Sequence, residues 1–513
     1  MAIIGEWRGD EVAILPGTSW AAPVGMFPTE ARNDESAYGF DSANSTLTLP
    51  SSDLPDGYLI IAGFEFEDAS NGRHNPQGRF IQTSGTGNFV AAASSGYNRD
   101  NSEDRSFVRS WAFIDNPSSG ATLQFQWRRD TDAPSGGTER SQLQVLPFFY
   151  GQIGLYQSAS NACPGGTTPS QITGWSAVSE SDAEAIALSS DIVTLKGDNK
   201  RYLLLGSQYW QGIGSSRTQR WHGFRIDGAI DNSSRAYSYA RNGSNADIGD
   251  IFSLIVDRAT TDIQIDQFVF RGEPLSGFPA TGANVTANVT GSNASHAMVI
   301  LELNDSATLI QGRSAAGQSI SGTTPVSIEV AASIDFNDAA TFTRGSDTSI
   351  AVSKAADVFI GANISGGYRS SSGARYTGES HITLDGADQP YAFAGDYGRG
   401  NQGTQDTYGW SANHLASVAV TAGQSLGVSA NRILGGEAGP VDALAGWSGF
   451  WAVDLDSLAP SPPPAAGNEG KLMIADGTSF GLHSAYVANG TSYLLGKVHW
   501  ADGAAFNVTY PPE

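Results

Sequence analysis

The chain has 513 residues, 52 acidic against 29 basic side chains and a formal charge of −23, with only five Lys among the basic ones. Apart from the Arg128-Arg129 pair its Arg residues are scattered singly, so there is no basic patch to neutralise phosphates, which argues against nucleic-acid binding. No apolar run approaches the ~18 residues of a membrane-spanning helix, and the length leaves room for three or four domains with cores of their own.

The first ten residues, MAIIGEWRGD, lack a basic start and a long apolar stretch, so no secretory leader is expected and synthesis in a cytoplasm is. A single cysteine, Cys163, leaves no intrachain disulfide. Residues 1–40 mix Pro with aromatics (Trp7, Trp20, Pro23, Phe27, Pro28) and show little periodicity. They read either as an arm that packs on something else or as an extra strand and loop of the first domain.

From residue 41 onward short β patterns dominate. One strand pair recurs three times: 58–64 (YLIIAGF) with 78–82 (GRFIQ), 202–209 (YLLLGSQY) with 219–225 (QRWHGFR), and 358–364 (VFIGANI) with 374–379 (ARYTGE). Each copy has an apolar run with a glycine, a Ser/Gly/Asn-rich loop and an Arg-aromatic step, at Arg79, Arg220 and Arg375. That spacing is the size of a whole domain rather than of a solenoid or propeller repeat. Weaker segments align around it. A short alternating stretch precedes it (47–49, 186–188, 350–352) and an aromatic-bearing one follows (111–114, 237–239, 408–410). Then come a strand ending in arginine (123–129, 252–258, 426–432) and a closing apolar strand (150–156, 298–303, 449–455). The expected fold is all-β: three tandem β-sandwiches, most simply jelly rolls, over 41–157, 158–305 and 306–457.

Residues 458–467 (LAPSPPPAAG) read as an extended polyproline spacer. Beyond it, 468–513 holds β candidates at 471–475, 485–487, 493–500 and 506–510. A module of this size has little core of its own and is expected to fold against a partner or a second copy.

Motifs for chemistry are sparse. Gly423-Gln424-Ser425-Leu426-Gly427 matches the nucleophile elbow, but β sequence continues after it where that motif needs a helix, so it reads as a hairpin turn. The histidines at 74, 222, 296, 381, 414, 483 and 499 lack metal-site spacing, although His483 and His499 share the last module. Nothing singles out an acid/base pair among the carboxylates. Arg79, Arg220 and Arg375 read as packing residues ahead of ligand contacts, and Tyr97 and Tyr368 as loop aromatics with a weak capacity to stack on sugars. No catalytic, cofactor-binding or metal-binding residue is therefore expected.

Tandem, Gly/Ser/Asn-rich, helix-poor units of this kind resemble virion structural proteins of tailed bacteriophages, such as fibres, spikes and head decorations. The single units resemble the tumour-necrosis-factor-like jelly roll, a family that commonly packs as trimers. The resemblance covers roughly 41–457 and carries no signature motif, so it assigns no residue a role. It implies a non-enzymatic virion component that projects its β-domains, contacts other capsid or tail proteins and meets a host-surface glycan. A homotrimer is expected as well: the 1–40 arm, whose Trp7, Trp20 and Phe27 need a surface to bury them, would dock on the virion, and the small C-terminal module would draw its core from inter-subunit contacts. The alternatives are a carbohydrate-binding protein and a fibre-borne polysaccharide-degrading enzyme.

Overall fold

The computed structural model describes residues 2–12, 16–50, 55–67, 75–97, 105–129, 137–158, 161–162, 168–211, 217–241, 247–257, 260–271, 284–285, 296–320, 322–368, 375–399, 409–433, 441–443 and 446–459. It also describes 471–475, 480–484, 497–499 and 505–507. The chain forms two compact units, 1–459 and 460–513. Among the described residues no helix is long and apolar enough to cross a membrane.

The first unit contains the same antiparallel sandwich three times. One sheet is built around a long central strand, Gly57–Glu67, Arg201–Gln211 or Ala356–Tyr368. On one side the central strand pairs with Arg105–Asp115, Asp247–Val256 or Gly409–Val420. On the other it pairs with a closing strand, Gly137–Phe148, His296–Leu303 or Gly449–Asp454. Beyond the closing strand lies the first strand of each copy, Gly5–Val12, Ile153–Ser158 or Leu309–Arg313. The second sheet carries Pro76–Ser84, Arg217–Ile226 or Arg375–Leu384 against Thr122–Arg129, Ile263–Arg271 or Ser425–Arg432. These strand orders make each copy a jelly roll, and the fold is all-β with a small C-terminal β unit.

The central strands explain why their sequences are apolar without alternation. A strand covered on both faces has no solvent side to mark with polar residues. In the first copy Tyr58, Ile60, Ala62 and Phe64 face the sandwich interior, whereas Leu59 and Ile61 face away from it. The second copy divides in the same way, with Tyr202 and Leu204 inside and Leu203 and Leu205 outside. In the third, Val358 and Ile360 point inward and Phe359 outward. The outward residues of all three copies meet in one shared core, together with Trp111, Val299, Leu415 and Trp451.

Polar contacts close the three copies into a ring. Tyr209 donates to Gln77 Oε1 at 2.7 Å between the first and second. Trp451 Nε1 donates to Ser253 Oγ at 3.0 Å between the second and third. Gln144 pairs with both backbone groups of Ser417, each at 2.9 Å, between the third and first. At the centre of the ring Tyr97, Tyr239 and Tyr397 stand one from each copy, their ring centroids 5.0 to 5.2 Å apart.

Strand register corrects several sequence alignments. The arginines that end equivalent strands are Arg129, Arg271 and Arg432; they lie opposite Pro76, Arg220 and Gly378. Arg79 and Arg375 are each displaced three residues from that position, so the three Arg-aromatic steps share a strand but not a register. In the second copy 252–256 belong to the partner of the central strand, and the segment equivalent to 123–129 is Ile263–Arg271. The closing strand of the first copy is Gly137–Phe148, while 153–158 open the second.

Residues 1–40 are not a free arm. Gly5–Val12 pairs with the closing strand and Thr29–Asn33 pairs with Gly5–Val12, and Trp7, Met26 and Phe27 are buried in the first sandwich. The reading as an extra strand and loop of the first domain is the one the structure takes. At the other end Leu458 is buried in the shared core, so the first unit runs into the expected spacer. In the second unit Lys471–Ala475 pairs with Phe480–Ser484, and Lys497–His499 with Ala505–Asn507; the strand expected at 485–487 lies outside the described residues.

Candidate functional site

A groove of about 300 Å³ runs between the first and third copies, large enough for a small ligand. The first strand contributes Glu6 and Arg8, the closing strand Gln142 and Gln144, and strand Ala387–Arg399 contributes Gln389 and Tyr391. Strand alternation places Glu6, Gln142 and Gln144 on the face that meets the third copy. Glu6 accepts from Arg8 Nε at 2.5 Å and from Gln142 Nε2 at 2.8 Å, the Arg8 guanidinium lies 4.4 Å from the centre of the Tyr391 ring, and Tyr391 donates to Asp10. Glu6 lines the groove as a carboxylate, and Asp10 meets it through the Tyr391 hydroxyl. A more open cleft of about 420 Å³, lined by Gln82, Thr83, Phe89, Gln157 and Val178 among others, has no carboxylate.

The residues noticed in the sequence do not gather in either groove. Arg79 is buried, donates twice to Gln126 Oε1 at 3.1 and 2.8 Å and packs 4.3 Å from the Trp20 ring. Burial and the neighbouring Arg128 hold its pKa down at about 10. Arg220 is buried as well; the side chains of Arg375 and Tyr368 lie outside the described residues, as do Cys163 and His74. Ser425 follows a turn with Gly423 at φ +91°, and its Oγ and N–H meet Asp385 Oδ1 at 3.2 and 2.8 Å, the geometry of a hairpin. Tyr97 follows the short strand Ser94–Ser95 in a loop, as expected, but it is not exposed: it is a buried member of the central triad.

Among the described residues no three His, Cys, Asp or Glu side chains cluster as a metal site. His381 Nε2 pairs with Glu379 at 2.7 Å and His414 Nε2 with Ser380 Oγ at 2.9 Å. His222 is fully buried against Phe252, with no hydrogen-bond partner for either ring nitrogen. His483 and His499 lie on strands Phe480–Ser484 and Lys497–His499 of the second unit.

Burial, and then the nearby His296, push the His222 imidazole down to about 3. The unfolded chain therefore binds a proton near pH 6.5 that the folded chain refuses. Stability contributed by neutral His222 is complete above about pH 6.5 and declines as pH falls toward 3. At pH 5 the expected loss is about 2 kcal/mol. Urea midpoints at pH 7.5 and 5.0 should differ accordingly, and His222→Phe should reduce the difference; an unchanged difference would remove His222 from the account.

Sequence reasoning missed the carboxylates that the fold brings together. Asp250 and Asp396 each follow a glycine within a strand and come from the second and third copies. The Gly-Asp step was the sole local signal. No family model matches the chain, and no curated protein does. Among solved structures, the Eiger TNF of S. frugiperda matches at 13% identity and a TM-score of 0.20, over 31% of this chain and 96% of that one.

Proposed function

We propose that the chain is a non-enzymatic structural component of a tailed-phage virion, a fibre, spike or capsid decoration that projects a three-lobed β head. The observation that carries this reading is the ring: three jelly rolls share one core within a single chain. The result is a rigid projecting body whose trimeric geometry does not depend on assembly. The apolar faces that a jelly-roll trimer would use between subunits are already covered inside the chain. Trp7 and Phe27 are likewise buried, so the 1–40 segment needs no further surface to cover them, which favours an anchor elsewhere. We therefore assign attachment and homotrimer formation to residues 460–513.

Density-gradient-purified particles of the phage whose genome carries this sequence should contain the chain in fixed ratio to the capsid or tail proteins. Residues 1–459 alone should fold but fail to join particles and should scatter light as a monomer. Absence of the full chain from particles overturns the reading, and incorporation of 1–459 overturns the assignment of the anchor. A second reading, binding of a host-surface glycan, is favoured by the groove around Glu6, Gln142 and Tyr391. Retention of surface polysaccharide without release of oligosaccharide would support it, whereas release would establish the enzyme alternative.

A further inference from the structure

Beside the central tyrosines lies a third, much smaller cavity of about 20 Å³, lined by groups from all three copies. Space of that size holds one water-sized sphere. Strand register shows how its walls arise. Tyr397 lies opposite Thr377, one residue before the Gly378 that pairs with Arg432, and Tyr239 lies opposite Gln219, one before the Arg220 that pairs with Arg271. In the first copy Gly96 N–H bonds to Pro76 O, placing Tyr97 at the same step. The residues that precede the three tyrosines are thus equivalent, and they are Gly96, Ser238 and Asp396.

In a true homotrimer those three places would hold one residue type, and three carboxylates would repel one another. A fused chain places there one carboxylate, one hydroxyl and one glycine. Asp250 and Asn413 complete the wall. Asp250 accepts from Ile251 N–H at 2.7 Å, from Asn413 Nδ2 at 2.6 Å and from Ser411 Oγ at 3.3 Å. Asp396 Oδ1 accepts from the Tyr397 N–H at 2.7 Å.

Three oxygens are left over. Asp396 Oδ2, Asn413 Oδ1 and Ser238 Oγ are buried without a hydrogen-bond partner, and Asn413 and Ser238 are 6% and 4% exposed as residues. Arg109 also lines the cavity, but its guanidinium donates to the backbone carbonyls of Leu415 and Tyr391. A buried carboxylate without a counter-charge is costly, as is an unpaired buried oxygen. Burial pushes Asp250 up to about 7, and burial together with Asp250 pushes Asp396 well above the usual carboxylate range. An occupant with positive charge and a preference for oxygen would relieve all of these groups at once.

We infer that this cavity is a binding site for one Ca²⁺ ion per chain, held by Asp396, Asp250, Asn413 and Ser238. All four donors are oxygen, which selects a hard cation over zinc or copper. Ca²⁺ is preferred over Mg²⁺ because Mg²⁺ usually keeps several waters, and the cavity has no room for them. The site pins the second copy to the third and locks the ring.

The test uses the full chain after treatment with chelator. Ca²⁺ at a hundredfold excess over Kd should raise Tm by about 3 °C relative to an ionic-strength control. Tb³⁺, excited through the adjacent tyrosines, should show emission that saturates at one ion per chain and is displaced by Ca²⁺. Asp396→Asn should weaken Tb³⁺ binding at least tenfold, and should melt no lower than the metal-free parent because it removes the buried charge. If that variant does not fold, Ser238→Ala, which deletes one donor of small volume, should weaken binding about threefold or more. Three outcomes overturn the site: no Tm response to Ca²⁺ beyond the control, Tb³⁺ emission that rises without saturation as expected for a diffuse acidic surface, or unchanged Tb³⁺ affinity in every folded variant.

Discussion

Trp451→Ala should lower the stability of the whole first unit by about 4 kcal/mol, and all three jelly rolls should melt together. Trp451 is 3% exposed and sits in the shared core, with its ring 5.0 Å from that of Phe359 and its N–H on Ser253 of the second copy. A Cβ on Gly361 would come within 2.2 Å of the indole, so the central strand carries glycine there to admit the ring. Truncation would empty that space and leave Ser253 Oγ without its donor. The size of the Tm shift reports the cooperative unit, because unfolding entropy scales with the number of residues that unfold together. If all 459 residues of the first unit melt at once, about 4 kcal/mol corresponds to a drop of roughly 4 °C. If the third copy melts alone, the same loss corresponds to a drop about three times larger, with most of the circular-dichroism signal surviving the first transition. Two transitions of that kind would refute a shared core.

The same core marks what could be read in the sequence. The central strands were legible because burial on both faces produces long apolar runs such as 58–64 and 202–205. The closing strand of the first copy was not. Its inward and outward positions include Ser141, Gln142 and Gln144, polar residues that are buried because Glu6, Met26 and Ser417 supply their hydrogen bonds. Those partners lie far away in sequence, so the stretch looks like an exposed segment. Residues 1–40 misled for a related reason: Trp7 and Phe27 are spaced by loops rather than by a strand period, and only pairing with Gly137–Phe148 reveals their face. The slip in the Arg-aromatic register came from matching residue types where strand pairing sets equivalence. Asp250 and Asp396 carried no signal beyond the Gly-Asp step, since they meet only where two copies pack. No periodicity within one domain encodes a contact between two.

Arg140→Met should cost 3–5 kcal/mol at neutral pH, roughly the loss expected when one member of a buried ion network is removed. Arg140 Nε donates to Glu65 Oε2 at 2.5 Å and its Nη2 to Glu379 Oε1, joining the first copy to the third. Arg105 Nη1 reaches the other Glu65 oxygen at 2.8 Å and His381 holds Glu379. Glu65 is fully buried, and burial pushes its carboxyl up against the pull of Arg140. Burial pushes Glu379 up as well, but His381 and Arg140 outweigh it and hold this carboxyl well below its usual range. In the parent, Glu379 therefore contributes stability at neutral pH that is lost as pH falls below about 4.5. Without Arg140 both carboxyls rise, so the folded variant takes up protons more readily than its unfolded chain. Its deficit should be largest at pH 7.5 and should shrink as pH falls to 4.5, where protonation removes the repulsion. The acid loss caused by His222 is common to both proteins and cancels in the difference. Methionine keeps the apolar stem that packs near Phe393. A deficit that stays constant from pH 7.5 to 4.5 would therefore show that Arg140 acts through contacts other than charge, and its ion network would drop out of the account of the interface between the first and third copies.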